Sequence, residues 1–527
     1  MNSVELVIGL ILAAAVLATL ARKIGVPYPV LLVLGGQALG FIPGLPAVHI
    51  APDIVFLVFI TPLVYIAAAQ VTLRDFRSNL RPILILAIGL VLANLLFVAA
   101  VATWSIPGFS WATAFVLAAI VGPTDTVAIN AITGDMPIPR RIGTILEGES
   151  LINDIVALVA YKMAVDAVTT GTISYENAGL HLLWDSLAGI SIGLVVGVAS
   201  SWIRHRLEDP AVSIAVSLLT GYAAYLGAEM IGASGILATV TAGLFIGRQL
   251  SKILLPEGRI QAFFFWDTIS FLLEGLAFVL IGLELRTIMS ELADYSFVTL
   301  FIYGSLISAA VIGLRMVWVF LFAYLPHYLF RRIRERDPAP NWKHVFLLGW
   351  AGMRGVDSLA ASLALPLMLA NGATPFPERN LIQFLSFSVI LSTLILQGLS
   401  LPFLIRWFRL KNDNISEIEE AKARLAAAQA ALKRLDEHKL RLDIPPELLT
   451  LVRNIYDRKL KRAQSQLNPA DDGEVEIAVG ALQRLRRELL GIERRVVIEQ
   501  RDHGEISDFV LRRIERSLDY EELRQQD

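Results

Sequence analysis

The sequence predicts an all-α polytopic membrane protein with a charged helical tail. Three observations predict it. Of 527 residues, 55% are hydrophobic and only 18% charged, and the mean hydropathy is +0.60, which is too apolar for a soluble chain. The apolar residues fall into thirteen segments long enough to cross a bilayer as helices. The charges concentrate at one end: Lys411 to Asp527 hold 22 basic and 24 acidic residues, 46 of the 94 in the chain. The expected division is a transmembrane domain over 1–410 and a cytoplasmic helical tail over 411–527. A net charge of −2 is too small to point to nucleic acid. With no cysteine, disulfides, thiol nucleophiles and thiolate metal sites are excluded. No phosphate-binding glycine loop is visible, and no cofactor or enzymatic chemistry is expected. The run from Val4 to Ala21 lacks a basic start and a cleavage site, and reads as a first span rather than a signal peptide.

The thirteen segments are 3–21, 27–42, 52–72, 82–104, 111–133, 143–168, 183–203, 211–229, 234–250, 262–285, 297–324, 344–369 and 380–407. The basic residues test this count. With the N-terminus outside, the cytoplasmic gaps and the span ends beside them hold Arg22, Lys23, Arg74, Arg77, Arg81, Arg140, Arg141, Arg204, Arg206, Arg248, Lys252, Arg259, Arg331, Arg332, Arg334, Arg336 and Lys343; the external gaps hold only Arg286 and Arg379. That asymmetry is the one expected of an inner-membrane protein, and a miscounted helix would scramble it. The tail, entered through Arg406, Arg409 and Lys411, is then cytoplasmic.

Two segments should break. The fifth contains Gly122-Pro123, and proline removes a backbone donor and clashes with the preceding turn, so the helix should unwind near Thr124. The twelfth contains Gly349, Gly352 and Gly355 within seven residues. The breaks lie seven helices apart, and an odd offset makes the two spans antiparallel. Paired interrupted helices in inverted halves mark the midplane site of a secondary transporter; glycine-mediated helix packing is the plainer alternative.

Beside these breaks lie carboxylates at membrane depth, where charge is expensive and usually functional. Asp125 is about 14 residues (~21 Å) into its span, and Asp154 about 11 residues (~16 Å) into the next. Both depths are near the middle of a ~30 Å hydrocarbon layer. Glu149 and Asn153, and Ser150 and Asp154, are spaced i,i+4, so each pair shares a helix face. Asp154, Asp125, Ser150 and Thr124 offer oxygens to a hard alkali cation such as Na⁺, and the carboxylates can take a proton when it leaves. The alternative for Thr124-Asp125 is a helix cap. Glu149 reads as the partner of Arg315 in a buried ion pair, with Asn153 completing the hydrogen bonds, because an unpaired buried arginine is very costly. Arg354 and Asp357 at the second break are spaced i,i+3. A local ion pair is the plain reading and a second titratable site the sharper one.

At these residues the chain resembles the sodium/proton exchangers of the cation:proton antiporter superfamily, in their electroneutral bacterial branch. Gly122-Pro123-Thr124-Asp125 resembles that branch's motif on an unwound fifth helix, and Glu149-Ser150-Leu151-Ile152-Asn153-Asp154 its signature on the sixth. Gly235 to Ala238, Phe278 to Leu285 and Gly352-Met353-Arg354-Gly355 are similar to further family segments. The resemblance implies thirteen helices, inverted repeats with two broken helices that cross, and a homodimer in which a mobile core moves against a dimerisation domain. It implies ion ligation by Thr124, Asp125, Ser150 and Asp154, with Asn153 beside them and Glu149–Arg315 in support. The chain departs from the pattern in three places: Ile66 stands where many relatives carry an acid, Asp357 where they are apolar, and Glu274 in the tenth span is unusual and has no partner identifiable from sequence.

The expected function is antiport of Na⁺ against H⁺ across the cell membrane, serving pH homeostasis. Asn153 cannot carry a proton as an aspartate would, which leaves one exchangeable charge and predicts electroneutral exchange. K⁺/H⁺ antiport is the nearest rival, since oxygen ligands alone do not set cavity size. A passive cation channel and a membrane sensor signalling through its tail are the others. In the tail, the Ala/Leu/Glu/Lys/Arg-rich run over 411–445 favours helix; Pro445-Pro446 and the stretch Asn468 to Gly473 should break it, with a last amphipathic helix from Glu474.

Overall fold

The computed structural model describes residues 3–42, 55–133, 136, 138–171, 175–254, 256–292, 295–329, 340–369, 374–410, 415–438, 446–467, 473–503 and 507–526. The gap between the second and third segments, 43–51, and the basic run Arg331 to Arg336 lie outside them. No β-strand occurs among the described residues; Met368 and Pro375 form an isolated bridge. The chain divides into two compact units, Met1–Asn412 and Asp413–Asp527.

All thirteen predicted segments carry helix. In chain order the first unit comprises α1 (Ser3–Ile24), α2 (Tyr28–Gly40), α3 (55–70), α4 (Leu73–Ser78), α5 (Leu80–Ser105), α6 (Trp111–Val121), α7 (Thr126–Thr133), α8 (Arg140–Thr170), α9 (Tyr175–Arg204), α10 (Pro210–Glu229), α11 (Gly235–Ile253), α12 (Pro256–Glu291), α13 (Phe297–Leu329), α14 (Trp342–Trp350), α15 (Val356–Leu363) and α16 (Arg379–Trp407). Seven of these are long and apolar enough to cross a membrane on length and composition. Side chains at their starts take up orphan N–H groups: Ser110 Oγ accepts from Thr113 N at 3.2 Å, Asp209 Oδ1 from Ala211 N at 2.8 Å and Asn341 Oδ1 from Lys343 N at 3.1 Å. Helix α8 ends where Gly171 turns left-handed at φ +71°.

Both breaks fall where the sequence places them. Residues 122–125 separate α6 from α7, and 351–355 separate α14 from α15. The span read as 344–369 ends earlier than expected. Its helix stops at Leu363, three residues before Pro366, because a proline disfavours the helical conformation in the residue before it. The short α4 and three π-type turns, Val55–Ile60, Ile85–Leu90 and Thr393–Gly398, carry no sequence signal that was read.

Two bundles make up this unit. Helices α5, α6, α8 and α13 to α16 pack on one another around the two breaks. The second bundle contains two glycine seams. One joins α2 to α12: a Cβ on Gly36 would strike the Val279 backbone, and one on Gly282 the backbone of Val33 and Gln37. The other joins α3 to α11, where Gly243 and Gly247 meet the carbonyls of Tyr65 and Ala69.

The second unit consists of α17 (Ile415–His438), α18 (Pro446–Leu467), α19 (Gly473–Asp502) and α20 (Asp508–Gln526). Helix α17 packs on α18 and α19 on α20. Arg453 reaches Asp436 at 2.7 Å, and Arg494 reaches Asp519 at 2.5 Å and Glu522 at 3.0 Å. The breaks before α18 and α19 were expected; the one after Asp502 was not.

Candidate functional site

Two breaks crossing in apolar surroundings create four helix ends whose backbone groups need partners. Charged side chains supply them. Asp125 sits on the two N-terminal ends: its Oδ1 accepts from Ala128 N of α7 at 3.4 Å and its Oδ2 from Val356 N of α15 at 3.3 Å. Its own N–H donates to Met353 O at 2.9 Å, tying the breaks together. Negative charge is favourable at these positive helix poles. The two C-terminal ends take arginines. Arg354 donates through Nε to Val121 O at 3.1 Å, through Nη2 to Gly122 O at 3.5 Å and through Nη1 to Gly352 O. Arg315 donates to Gly349 O at 3.1 Å and Leu348 O at 3.2 Å. Both arginines are fully buried.

The expected Glu149–Arg315 pair is present. Arg315 Nη2 donates to Glu149 Oε2 at 2.9 Å, and Nη1 to Oε1, giving the bidentate geometry that makes such pairs strong. The polar group completing it differs from expectation: Asn153 donates to Thr124 Oγ1 at 2.9 Å, and Thr124 in turn donates to Glu149 Oε1 at 3.1 Å. Thr124 thus bridges the two.

The Arg354–Asp357 pair is absent among the described residues. The i,i+3 rule holds only within one helix, and α15 begins after Gly355, so Arg354 lies in the break and points back to α6.

The other face of α8 lines a cavity of about 330 Å³. Ser150 and Asp154 project into it, with Thr126 and Asn130 of α7 beside them. Thr126 donates to Ser150 Oγ at 3.2 Å. Exposed Glu147 and Asp267 belong to its lining, and half-buried Glu274 and Tyr28 stand on the α12–α2 side. Tyr28 donates to Glu274 Oε2 at 2.8 Å, which supplies the partner that the sequence did not reveal. Ile66 leaves the α3 wall uncharged at this point. Asp154 also lines a second cavity of about 40 Å³, shared with Asp357 and Tyr161. Its Oδ1 is shielded from solvent and receives no hydrogen bond from the described residues. Asp125, Thr124, Asn153 and Glu149 line neither cavity.

The transmembrane sodium/hydrogen exchanger family model matches residues 10–407. This chain belongs to the sodium/hydrogen exchanger family. It is 33% identical over 525 residues to an uncharacterized Na(+)/H(+) exchanger of Mycobacterium tuberculosis, across 98% of this chain and 95% of that one. A sodium, potassium, lithium and rubidium/H(+) antiporter of Bacillus pumilus is 33% identical over 84% of this chain and 66% of its own. The fold is similar to that of the sodium proton antiporter MjNhaP1 from Methanocaldococcus jannaschii, with a TM-score of 0.62 and 20% identity over 77% of this chain and 99% of that one.

In this exchanger, the sequence-predicted residues therefore separate into two sets. Thr124, Asp125, Glu149, Asn153, Arg315 and Arg354 hold the crossing together. Ser150, Asp154 and Asp357 face cavities. Sequence reading missed Tyr161 and the helix-capping role of Arg354. Tyr161 lies seven residues after Asp154 on the same helix, a spacing that returns to the same face and could have found it.

Proposed function

We propose that the protein is a secondary antiporter exchanging Na⁺ for H⁺ across the plasma membrane by alternating access at Asp154. One observation carries this reading: Asp154, with an oxygen that no protein group satisfies, lines both the wide acidic cavity and the narrow cavity beyond it. A carboxylate so placed can take a cation or a proton from one side and release it to the other. Ser150 and Thr126 stand beside it with hydroxyl oxygens. Glu147, Asp267 and Glu274 raise the local concentration of cations in the wide cavity, as clefts lined by one sign of charge do. Asp125 contributes its fixed negative charge through the crossing.

The proposed topology has thirteen crossings, the N-terminus outside and the tail in the cytoplasm. The wide cavity lies toward the ends that carry Arg22, Lys23, Arg140 and Arg141, so on this topology it faces the cytoplasm. A homodimer is proposed, as is electroneutral exchange. Li⁺ and K⁺ are candidate substrates beside Na⁺, because an oxygen-ligand set alone does not choose among them.

Counter-transport in proteoliposomes tests the reading. With the purified protein, an outward Na⁺ gradient should drive proton uptake, and Li⁺ and K⁺ substituted for Na⁺ rank selectivity. Cation flux that proceeds without counter-movement of protons would establish a channel instead.

A further inference from the structure

Asp357 is the second residue of α15, and its charge has no basic partner among the described residues. The arginine expected to neutralise it, Arg354, is engaged by carbonyls of Val121, Gly122 and Gly352. Asp357 lines the narrow cavity together with Asp154 and Tyr161, and the remaining lining is largely apolar, including Phe56, Ile60 and Ile236. Tyr161 is 7% exposed, and its hydroxyl has no hydrogen-bond partner among the described residues. Buried polar groups are nearly always satisfied, so an orphan hydroxyl in a cavity lined by two carboxylates calls for an occupant. The cavity of about 40 Å³ has room for one or two water-sized particles. A small monovalent cation fits that volume, brings positive charge to the two carboxylates and takes up a lone pair of the phenol.

We propose that Asp357 and Tyr161, with Asp154, form a second coordination position for the transported alkali cation, on the far side of Asp154 from the acidic cavity. Tyr161 lies about 10 Å further along α8 than Asp154, away from Glu147 and Ser150. The cation then passes from an entry position bounded by Ser150 and Asp154 to an exit position bounded by Asp154, Asp357 and Tyr161, with Asp154 common to both. This deepens the antiport reading and rests on Asp154 as its exchange site.

The test uses the full chain, purified, with NaCl as the probe and choline chloride as the ionic-strength control. Asp357→Asn and Tyr161→Phe are compared with wild type in two readouts: Na⁺-induced thermal stabilisation in detergent, and the apparent KM for Na⁺ in proteoliposomes. The expected result is a KM raised about tenfold for Asp357→Asn, as for loss of one charge-assisted ligand. Tyr161→Phe should raise it about threefold, as for loss of a neutral one. Melting temperatures in choline should stay at the wild-type value. Exchange with wild-type KM and wild-type Na⁺ stabilisation in both variants overturns the second position while leaving antiport at Asp154 intact. If Asp357→Asn does not fold, an unchanged KM in Tyr161→Phe overturns it alone. Absence of any cation-dependent proton flux in the wild type removes the antiport reading, and this proposal with it.

Discussion

Gly355 leaves open the space that the Asp125 carboxylate needs: a Cβ built on Gly355 would clash with Asp125 Oδ2. Glycine leaves here the room that the carboxylate takes up. Gly352 stands in the same relation to the Arg315 guanidinium. The glycines of the second break are gaps through which charged caps reach helix ends. Gly355→Ala is therefore expected to displace Asp125 from both α7 and α15, destabilising the protein by about 1–3 kcal/mol as overpacking does and abolishing exchange. Thermal melts and proteoliposome flux check this, and a variant with wild-type values in both would show that Asp125 has another resting place.

Asp154→Asn is expected to abolish exchange and leave the fold intact, because among the described residues neither hydrogen bond nor ion pair depends on its charge. Asp125→Asn should instead lower the melting temperature as well as the turnover, since both of its oxygens hold backbone N–H groups. A correctly folded Asp154→Asn protein with wild-type flux would end the reading of Asp154 as the exchange site. The two variants together separate the ion-facing role from the capping role.

Glu149→Ala and Arg315→Ala should each destabilise by about 3–5 kcal/mol, because each leaves its partner buried and unpaired. The double variant should lose less than the sum. Detergent melts of the full cycle measure the coupling, and strict additivity would contradict the bidentate contact.

Tyr28→Phe removes the donor that fixes Glu274 in the wide cavity while keeping the ring. The apparent affinity for Na⁺ presented from the basic-loop side should weaken about threefold, the scale of one hydrogen bond. Affinity from the opposite side should hold. Oriented vesicles distinguish the sides, and a symmetric change would assign Tyr28 to general packing.

A potassium diffusion potential set by valinomycin should drive no net exchange, since Asn153 leaves Asp154 as the exchangeable charge. Flux driven by the potential alone would mean that a second charge moves, and Asp357→Val is the variant that would identify it.

Much of this arrangement was legible because membrane physics acts on local sequence. Gly122-Pro123 breaks a helix by sterics within one turn, and the i,i+4 spacing of Glu149 with Asn153 and Ser150 with Asp154 sorts them onto two faces. The Glu149–Arg315 pair could be matched because so few groups at that depth can neutralise an arginine. What failed was contact across sequence-distant elements. Arg354 was matched to Asp357 by a helical spacing that the break cancels, and nothing in the chain near Glu274 announces Tyr28, 246 residues away. The π-type turn at Thr393–Gly398 has no compositional signal, yet its Thr393 hydroxyl accepts the Arg354 N–H at 3.2 Å. Asp125 was weighed as a ligand against a cap, and only the position of α15 shows that it caps two helices at once.

The glycine seam between α2 and α12 bears on how the molecule can deform. Where backbone touches backbone at Gly36 and Gly282, there are no side chains to re-pack, so the pair resists sliding as a welded plate resists shear. Compliance must lie where the walls are separated by a cavity, between Gln70 or Glu274 on one side and Asn130 or Asp154 on the other. Spin labels at Leu34 and Phe263, both exposed, should hold one separation throughout turnover, whereas labels at Gln70 and Asn130 should report two. The seam is thus a built-in ruler: a fixed length on the molecule against which any moving distance can be read.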